Sequence, residues 1–289
     1  MERQRTARPG PRYVKGHCCG DGFLLLLDPG DRIPLSEDAV RRVCDPHAGL
    51  GGDGLVRLVE TAGGGCHRRP RTAWFLDCRE PDGSHTLLCG PAAGFAARYL
   101  AEAGLAPAGP VGFATPVGDQ RATVDDKGRA TVALPRPRVL GTASVTAEDR
   151  THAATTVSLG SLHLVSVVDT PVSYLDLTKE PRTDSAAFPR TAGVIRPAPD
   201  LVFVNVLPRG SLRVRAYRPG TGEVRTGGTV ACAAAAAVQH AAGGWDTTVV
   251  ENPAGALTVT LAAGAPALLT GPTAISAEGV LDTRWLAAA

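Results

Sequence analysis

The sequence predicts an α+β protein built as two similar halves. Three observations carry this. Short apolar runs, separated by Gly and Pro turns, recur along the 289 residues. Helical patterns are few. Two Ala-rich helical stretches, each behind a strand and a Gly turn, lie about half a chain apart.

The strands are read from continuous or alternating apolar runs with β-branched content. In order they are "FLLLLD" (Phe23–Asp28), "GLVRLVE" (Gly54–Glu60), "TAWFLDC" (Thr72–Cys78), "RATVDDKGRATVALP" (Arg121–Pro135), "LHLVSVVD" (Leu162–Asp169), "LVFVNVL" (Leu201–Leu207), "SLRVRAYR" (Ser211–Arg218) and "LTVTLAAG" (Leu257–Gly264). "DKG" (Asp126–Gly128) suits a hairpin turn inside the fourth run. Three helices are predicted: "SEDAVRRVCD", with Ser36 placed to cap it, "PAAGFAARYLAEAG", and "TVACAAAAAVQHAAG". Helices so rich in Ala fit tight wrapping inside a sheet, where a large side chain has no room. The linker is placed near "GDQRATVDD" (Gly118–Asp126) and "LTKEPRTDSAAFPRTAGVIRPAPD" (Leu177–Asp200) reads as a loop. The halves are then 1–122 and 123–275, with the tail 276–289 returning to the first.

Hydrophobic residues make up 44% of the chain and charged residues 20%, as in a globular protein and unlike a disordered one. A formal net charge of +2 makes no strong field, so neither nucleic acid nor an acidic membrane surface is an expected partner. "FLLLLD" is far too short to cross a membrane. The opening "MERQRTARPGPRYVKG" has basic residues with no apolar stretch behind them, unlike a signal peptide. Seven cysteines (Cys18, Cys19, Cys44, Cys66, Cys78, Cys89 and Cys232) show no metal-ligand spacing, and an odd number of reduced thiols fits a cytoplasmic location.

Two stretches carry chemistry. "DGSHTLLCGPAAGFAARYL" (Asp82–Leu100) and "EVRTGGTVACAAAAA" (Glu223–Ala237) each bring a Gly, Gly90 or Gly228, to the start of a helix. Exposed N–H groups and the helix dipole make such a start an anion site, with Gly90, Gly228 and Thr229 as candidate ligands for a carboxylate. The residue before the Gly is Cys89 in the first stretch and Gly227 in the second.

Taken in order, the motifs resemble those of the diaminopimelate epimerase family, over nearly the whole chain. "KGHCCGDGFLLLLD" resembles K-x-H-G-x-G-N-D-F, and "CDPHAGLGGDGLVRL" resembles D-R-H-x-G-I-G-x-D-G-L. "PDGSHTLLCG" resembles A-D-G-S-x-x-x-x-C-G, "LGSLHLV" resembles G-N-P-H-x-V, and "PGTGEVRTGGTVACAAA" resembles R-G-x-G-E-T-x-A-C-G-T-G-A-C-A-A. The ending "LTGPTAISAEGVLD" matches as well. The resemblance implies two pseudo-symmetric α+β halves, each a curved, mostly antiparallel sheet around a central helix. It also implies a chemistry that uses two cysteines, one per half, with no metal and no pyridoxal phosphate. One thiol removes a proton from the carbon next to a carboxylate and the other returns one on the opposite face. A His assists the first thiol and a Glu the second.

Only one of these pairs carries over. Cys89 and His163 stand at the first pair's positions; Gly227 and Arg218 stand at the second's. Positions where the family has Asn hold Asp21, Glu80, Pro91, Ser161 and Asp200, and two of its Arg positions hold Pro219 and Gly94. Scaffold positions persist at Gly20, Asp53, Gly54, Asp82, Gly83, Ser84, Gly220, Gly222 and Glu223. The catalytic candidates are thus Cys89 and His163. The candidates for holding substrate are Asp21, Glu80, Gly90, Ser161, Asp200, Arg218, Gly228 and Thr229. Cys18 and Cys19 are read as spectators and Cys232 as packing.

The expectation is a cofactor-independent isomerase acting on a small amino-acid-like or carboxylate substrate, in which Cys89 and His163 form a single base. A one-base cyclase or lyase, and an inactive homologue that binds a ligand or a protein, are the alternatives. The resemblance leaves a homodimer open.

Overall fold

The computed structural model describes residues 10–61, 72–86, 90–107, 109–116, 118–183, 198–225, 227–243 and 245–287. The chain divides into two compact units, one formed by 1–130 with 272–289 and the other by 131–271. Both are α+β, with a sheet packed around one Ala-rich helix.

The first unit holds β1 (Arg12–Cys18), β2 (Asp21–Leu27), α1 (Glu37–Cys44), β3 (Gly54–Glu60), β4 (Trp74–Arg79), α2 (Gly90–Glu102), β5 (Val111–Thr115) and β6 (Gly118–Val124). Successive pairings are antiparallel (β1–β2), parallel (β2–β3), antiparallel (β3–β4), parallel (β4–β5) and antiparallel (β5–β6). Each parallel step needs a long crossover, which α1 and α2 supply. The polar segment expected as a linker folds as β6. It turns at Asp125–Gly128, where the Asp125 carboxylate accepts from the N–H groups of Lys127 and Arg129, and Gly128 takes φ 71°.

The second unit repeats the plan after β7 (Arg129–Leu134) and β8 (Arg138–Ala147). It continues with β9 (Arg150–Ser158), β10 (Leu162–Val167), β11 (Arg182–Thr183), β12 (Asp200–Val206), β13 (Leu212–Arg218), β14 (Gly222–Val224), α3 (Gly228–Ala242), β15 (Thr247–Asn252) and β16 (Gly255–Thr260). Here β9–β10 is antiparallel, β10–β12 parallel, β12–β13 antiparallel, β13–β15 parallel and β15–β16 antiparallel. The order of pairings and the place of the helix, inside the second parallel crossover, are the same in both units. The last strand, β17 (Ala267–Val280), pairs with β16 through its first residues and with β1 through its later ones, and α4 (Thr283–Ala287) follows.

Both central helices are buried on most sides, which a helix tolerates only when apolar all round. In α3, ten of fifteen residues are buried, six of them Ala. In α2 the buried residues are mostly Gly and Ala, with Phe95 and Leu100 the exceptions. Phe95 stacks on Phe23 with ring centroids 6.2 Å apart. Its ring lies against Gly16 of β1, where a Cβ would sit 2.4 Å from the ring. Gly at that position is therefore a packing requirement. Ser36 caps α1 as expected, its Oγ accepting from the Ala39 N–H at 3.1 Å. The apolar face of α1 closes over Leu24, Leu26 and Leu55, with Leu281 and Leu286 completing the cluster.

Beside that cluster lies a charged network. The Arg57 guanidinium reaches Asp28 at 3.4 Å, Asp31 at 2.7 Å and Asp77 at 3.1 Å, and Arg79 holds Asp77 at 2.8 Å. The Asp28 carboxylate also accepts from the N–H groups of Arg32 and Ile33. Burial alone would raise the Asp77 carboxyl, but the hydrogen bond and charge of Arg79, with Arg57, hold it below the usual carboxylate value.

Candidate active site

In the second unit, strand register assembles four of the candidate residues. The parallel β10–β12 pairing sets His163 beside Asp200. The antiparallel β12–β13 pairing matches Leu201 with Tyr217, which brings Arg218 alongside Asp200. The Arg218 guanidinium donates to both oxygens of the Asp200 carboxylate, from Nε at 2.8 Å and from a terminal nitrogen at 3.2 Å. The other face of that carboxylate meets the imidazole, with Oδ2 3.6 Å from His163 Nδ1. The opposite ring nitrogen, Nε2, lies 3.0 Å from Ser161 Oγ. His163 is fully buried, and Ser161 and Asp200 nearly so. The arrangement is a chain, Ser161–His163–Asp200–Arg218, whose charge is balanced at its Arg218 end.

Arg218 was expected to face a substrate carboxylate; the carboxylate it grips in this structure is Asp200. The two substitutions complement each other. Where the family motifs carry a neutral Asn and an acidic Glu, this chain carries an acidic Asp200 and a basic Arg218. A buried carboxylate is tolerated when a bidentate cation compensates it.

Helix α3 packs against β10, β12 and β13, the strands that carry this chain. Its N-cap is Gly227, which offers no side-chain cap. The first N–H groups of a helix have no acceptor within it, so Gly228 and Thr229 present donors at this end. Gly227 has φ 171°, extended backbone open to any residue. The space is a different matter: a Cβ at Gly227 would lie 2.9 Å from Val230 Cγ2 and 3.1 Å from Val230 Cβ. The family pattern has Gly at the position of Val230. A side chain at Gly227 would thus meet Val230, three residues along the same helix. Val230 was missed from sequence; the signal was a β-branched residue in a Gly position of the motif.

In the first unit, Asp21 opens β2, opposite Cys18. Cys19 and Gly20 form the turn between β1 and β2, both with positive φ, 56° and 92°. Both thiols are buried, with Sγ atoms 3.8 Å apart. The hydrogen bond to Cys19, then burial and the charges of Cys19 and Asp21, push the Cys18 thiol well up. Asp53 earns its persistence by pinning β2 to β3, accepting from the Gly22 N–H at 2.7 Å. Glu80 begins the tight turn after β4, its N–H donating to the Ser84 carbonyl at 2.9 Å and its carbonyl accepting from the Gly83 N–H at 2.9 Å. Gly83 has φ 89°, and a Cβ there would meet Glu37 backbone at 2.5 Å. Gly90 is the buried first residue of α2. Cys89 lies outside the described residues. Among the described residues no group of three or more His, Cys, Asp or Glu side chains is placed to hold a metal, and no helix is long and apolar enough to cross a membrane.

No protein-family model matches the chain. Among curated proteins, it is 37% identical to a diaminopimelate epimerase of Thermobifida fusca, over 93% of this chain and 97% of the relative. It is 34% identical to one of Acidothermus cellulolyticus, over 95% of this chain and 97% of the relative. Among solved structures, a PhzF-family phenazine biosynthesis protein of Bacillus anthracis shares the fold with a TM-score of 0.69 at 14% identity, over 95% of this chain and 99% of the other. A hydroxyproline epimerase of Agrobacterium vitis, solved with trans-4-hydroxy-L-proline, shares it with a TM-score of 0.65 at 17% identity, over 99% and 95%. Motif order, repeated topology and identity along nearly the full length agree: the chain belongs to the diaminopimelate epimerase family of isomerases.

Proposed function

We propose that this chain is a cofactor-independent isomerase that works through one proton-transfer centre, Cys89 with His163, on a small amino-acid-like or carboxylate substrate. The observation that carries the reading is an asymmetry in the second unit. His163 is buried, with Nε2 3.0 Å from Ser161 Oγ and Nδ1 facing the Asp200 carboxylate at 3.6 Å, whereas a Cβ at Gly227 would overlap the Val230 side chain. A chain that had lost function altogether would have no need to keep the histidine so ordered.

In this reading the substrate carboxylate is drawn to helix N-termini, at Gly90 of α2 and at Gly228 and Thr229 of α3. The helix dipole there stabilises the negative charge that grows as the α-proton leaves. Asp21 and Glu80 contribute polar contacts to the rest of the substrate. With one base, the proton returns from the side it left, or leaves for good. The outcome is racemisation after the substrate turns over, migration of a double bond, cyclisation or elimination. A role in specialised metabolism fits the altered substrate positions, and a cytoplasmic setting fits the reduced thiols.

The test is incubation in D2O with LL-diaminopimelate, L-proline and trans-4-hydroxy-L-proline, following loss of the α-proton signal by NMR. The expected result is exchange in a small amino or imino acid without LL-to-meso conversion of diaminopimelate. Cys89→Ser should slow exchange by on the order of a hundredfold or more, the usual contribution of a positioned acid or base. Efficient LL-to-meso conversion would overturn the reading, and absence of exchange from every substrate would favour the binding-module alternative.

A further inference from the structure

We infer that the Asp200–Arg218 pair is a positioning clamp that fixes His163 in one tautomer, and that Ser161 is the group through which His163 gives and takes protons. This rests on the one-base reading above and deepens it.

The argument starts from donor and acceptor inventory. An ionised carboxylate only accepts, so Asp200, whose Oδ2 lies 3.6 Å from Nδ1, favours the tautomer with the hydrogen on that nitrogen. In neutral imidazole the other nitrogen is then a lone pair. Nε2 accepts the hydrogen bond from the Ser161 hydroxyl, at 3.0 Å. Arg218, bonded to both carboxylate oxygens, compensates the buried Asp200 carboxylate and holds it in place beside the ring.

His163 has no exposed surface of its own, while Ser161 keeps a little. A proton bound for Nε2 therefore passes through the Ser161 oxygen. The step balances. As a proton from the substrate carbon, or from a thiol acting on it, moves onto Ser161 Oγ, the hydroxyl's own proton moves to Nε2. The ring becomes imidazolium, the serine stays a hydroxyl, and the electron pair of the broken bond stays on the donor. The return step reverses each move. Serine at a family Asn position is what permits this: an amide can hydrogen-bond a ring but cannot pass on a proton in the same way.

The test is nitrogen NMR of the imidazoles in the full-length 15N-labelled protein, with His163 assigned by its loss in His163→Gln. Wild type should show the Nδ1–H tautomer with a hydrogen-bonded Nε2. Asp200→Ala should move the ring towards the Nε2–H tautomer. Ser161→Ala should shift Nε2 to the position of an unbonded imine nitrogen, and Ser161→Thr should restore it. An Nε2–H tautomer in wild type, or indifference of the ring to Asp200→Ala, would overturn the clamp. An Nε2 signal unmoved by Ser161→Ala would overturn the relay. With a substrate that exchanges in D2O, Ser161→Ala should cut the rate ~100-fold and Ser161→Thr should recover most of it; a Ser161→Ala rate equal to wild type would also overturn the relay. Should the ring behave as described while no substrate exchanges, the clamp stands and the one-base reading alone fails.

Discussion

Restoring the second thiol by Gly227→Cys should destabilise the protein, and the cause should be Val230. The backbone raises no obstacle, since φ at Gly227 is 171°, and replacing Gly there stabilises by ~0.4–1 kcal/mol through the unfolded chain. Against this, the new Cβ lies 2.9 Å from Val230 Cγ2, where carbon atoms prefer about 3.5–4.0 Å. Val230 cannot swing aside. It is β-branched in a helix, so its χ1 is nearly fixed, and it is buried among neighbours of α3 that are themselves buried. Overpacking of this kind costs about 1–3 kcal/mol, which leaves a net loss of about 0–2.6 kcal/mol, centred near 1.3, after the glycine term. Urea unfolding of wild type, G227C, V230A and the double variant, under reductant, measures it. The double variant should be more stable than the sum of single effects by about 1 kcal/mol or more, a coupling well outside the ~0.5 kcal/mol scatter of independent sites. A G227C protein as stable as wild type, or additive costs, would refute the packing argument.

Two other predictions concern the first unit. Asp77 has its folded pKa lowered, by Arg79 first and Arg57 next, against the opposing effect of burial. Its contribution to stability is present above its unfolded value of about 3.9 and is lost as pH falls through the lower folded value. Asp77→Asn should therefore flatten the fall in stability below about pH 4; an acid limb identical to wild type would contradict this. The Cys44 thiol is pushed up to about 11 by burial and by the Asp53 charge, and Cys18 is raised well above its usual value by its bond to Cys19 and by burial. Both should resist iodoacetamide at pH 8 in the folded protein and react at least ~100-fold faster in urea, because the thiolate is the reactive form. Labelling at equal rates in the two states would refute it.

Much of the fold was legible because it follows from local rules. Ser36 before an apolar-periodic stretch gave the start of α1, Gly90 and Gly228 gave the starts of α2 and α3, and the run of Ala gave a helix enclosed by a sheet. Arg121–Pro135 reads as two strands about a turn, and Gly118–Asp126 also as the place of the linker; β6 starts earlier than the apolar pattern, at Gly118, because an exposed face needs no apolar side chains. The site was legible residue by residue but not as a set. Asp200 and Arg218 each read as a departure from the family motif, because their pairing depends on a register set by β12 and β13. Likewise Gly227 reads as a lost thiol, and only geometry shows that a side chain there would meet Val230.

The closing strand has a consequence for how the chain is made. β17 supplies the partner of β1 along Thr273–Val280, and Leu281 and Leu286 complete the core beneath α1. The second unit, by contrast, is one uninterrupted stretch, Thr131–Gly271. A ribosome releases residues in order, at roughly 5–20 per second. The half that emerges first is thus the half that must wait. For on the order of ten seconds at those rates, while the later unit is still being made, β1 stands with an open edge and α1 with an uncovered floor. Nascent chains halted before β17 should be the ones that chaperones hold and proteases find.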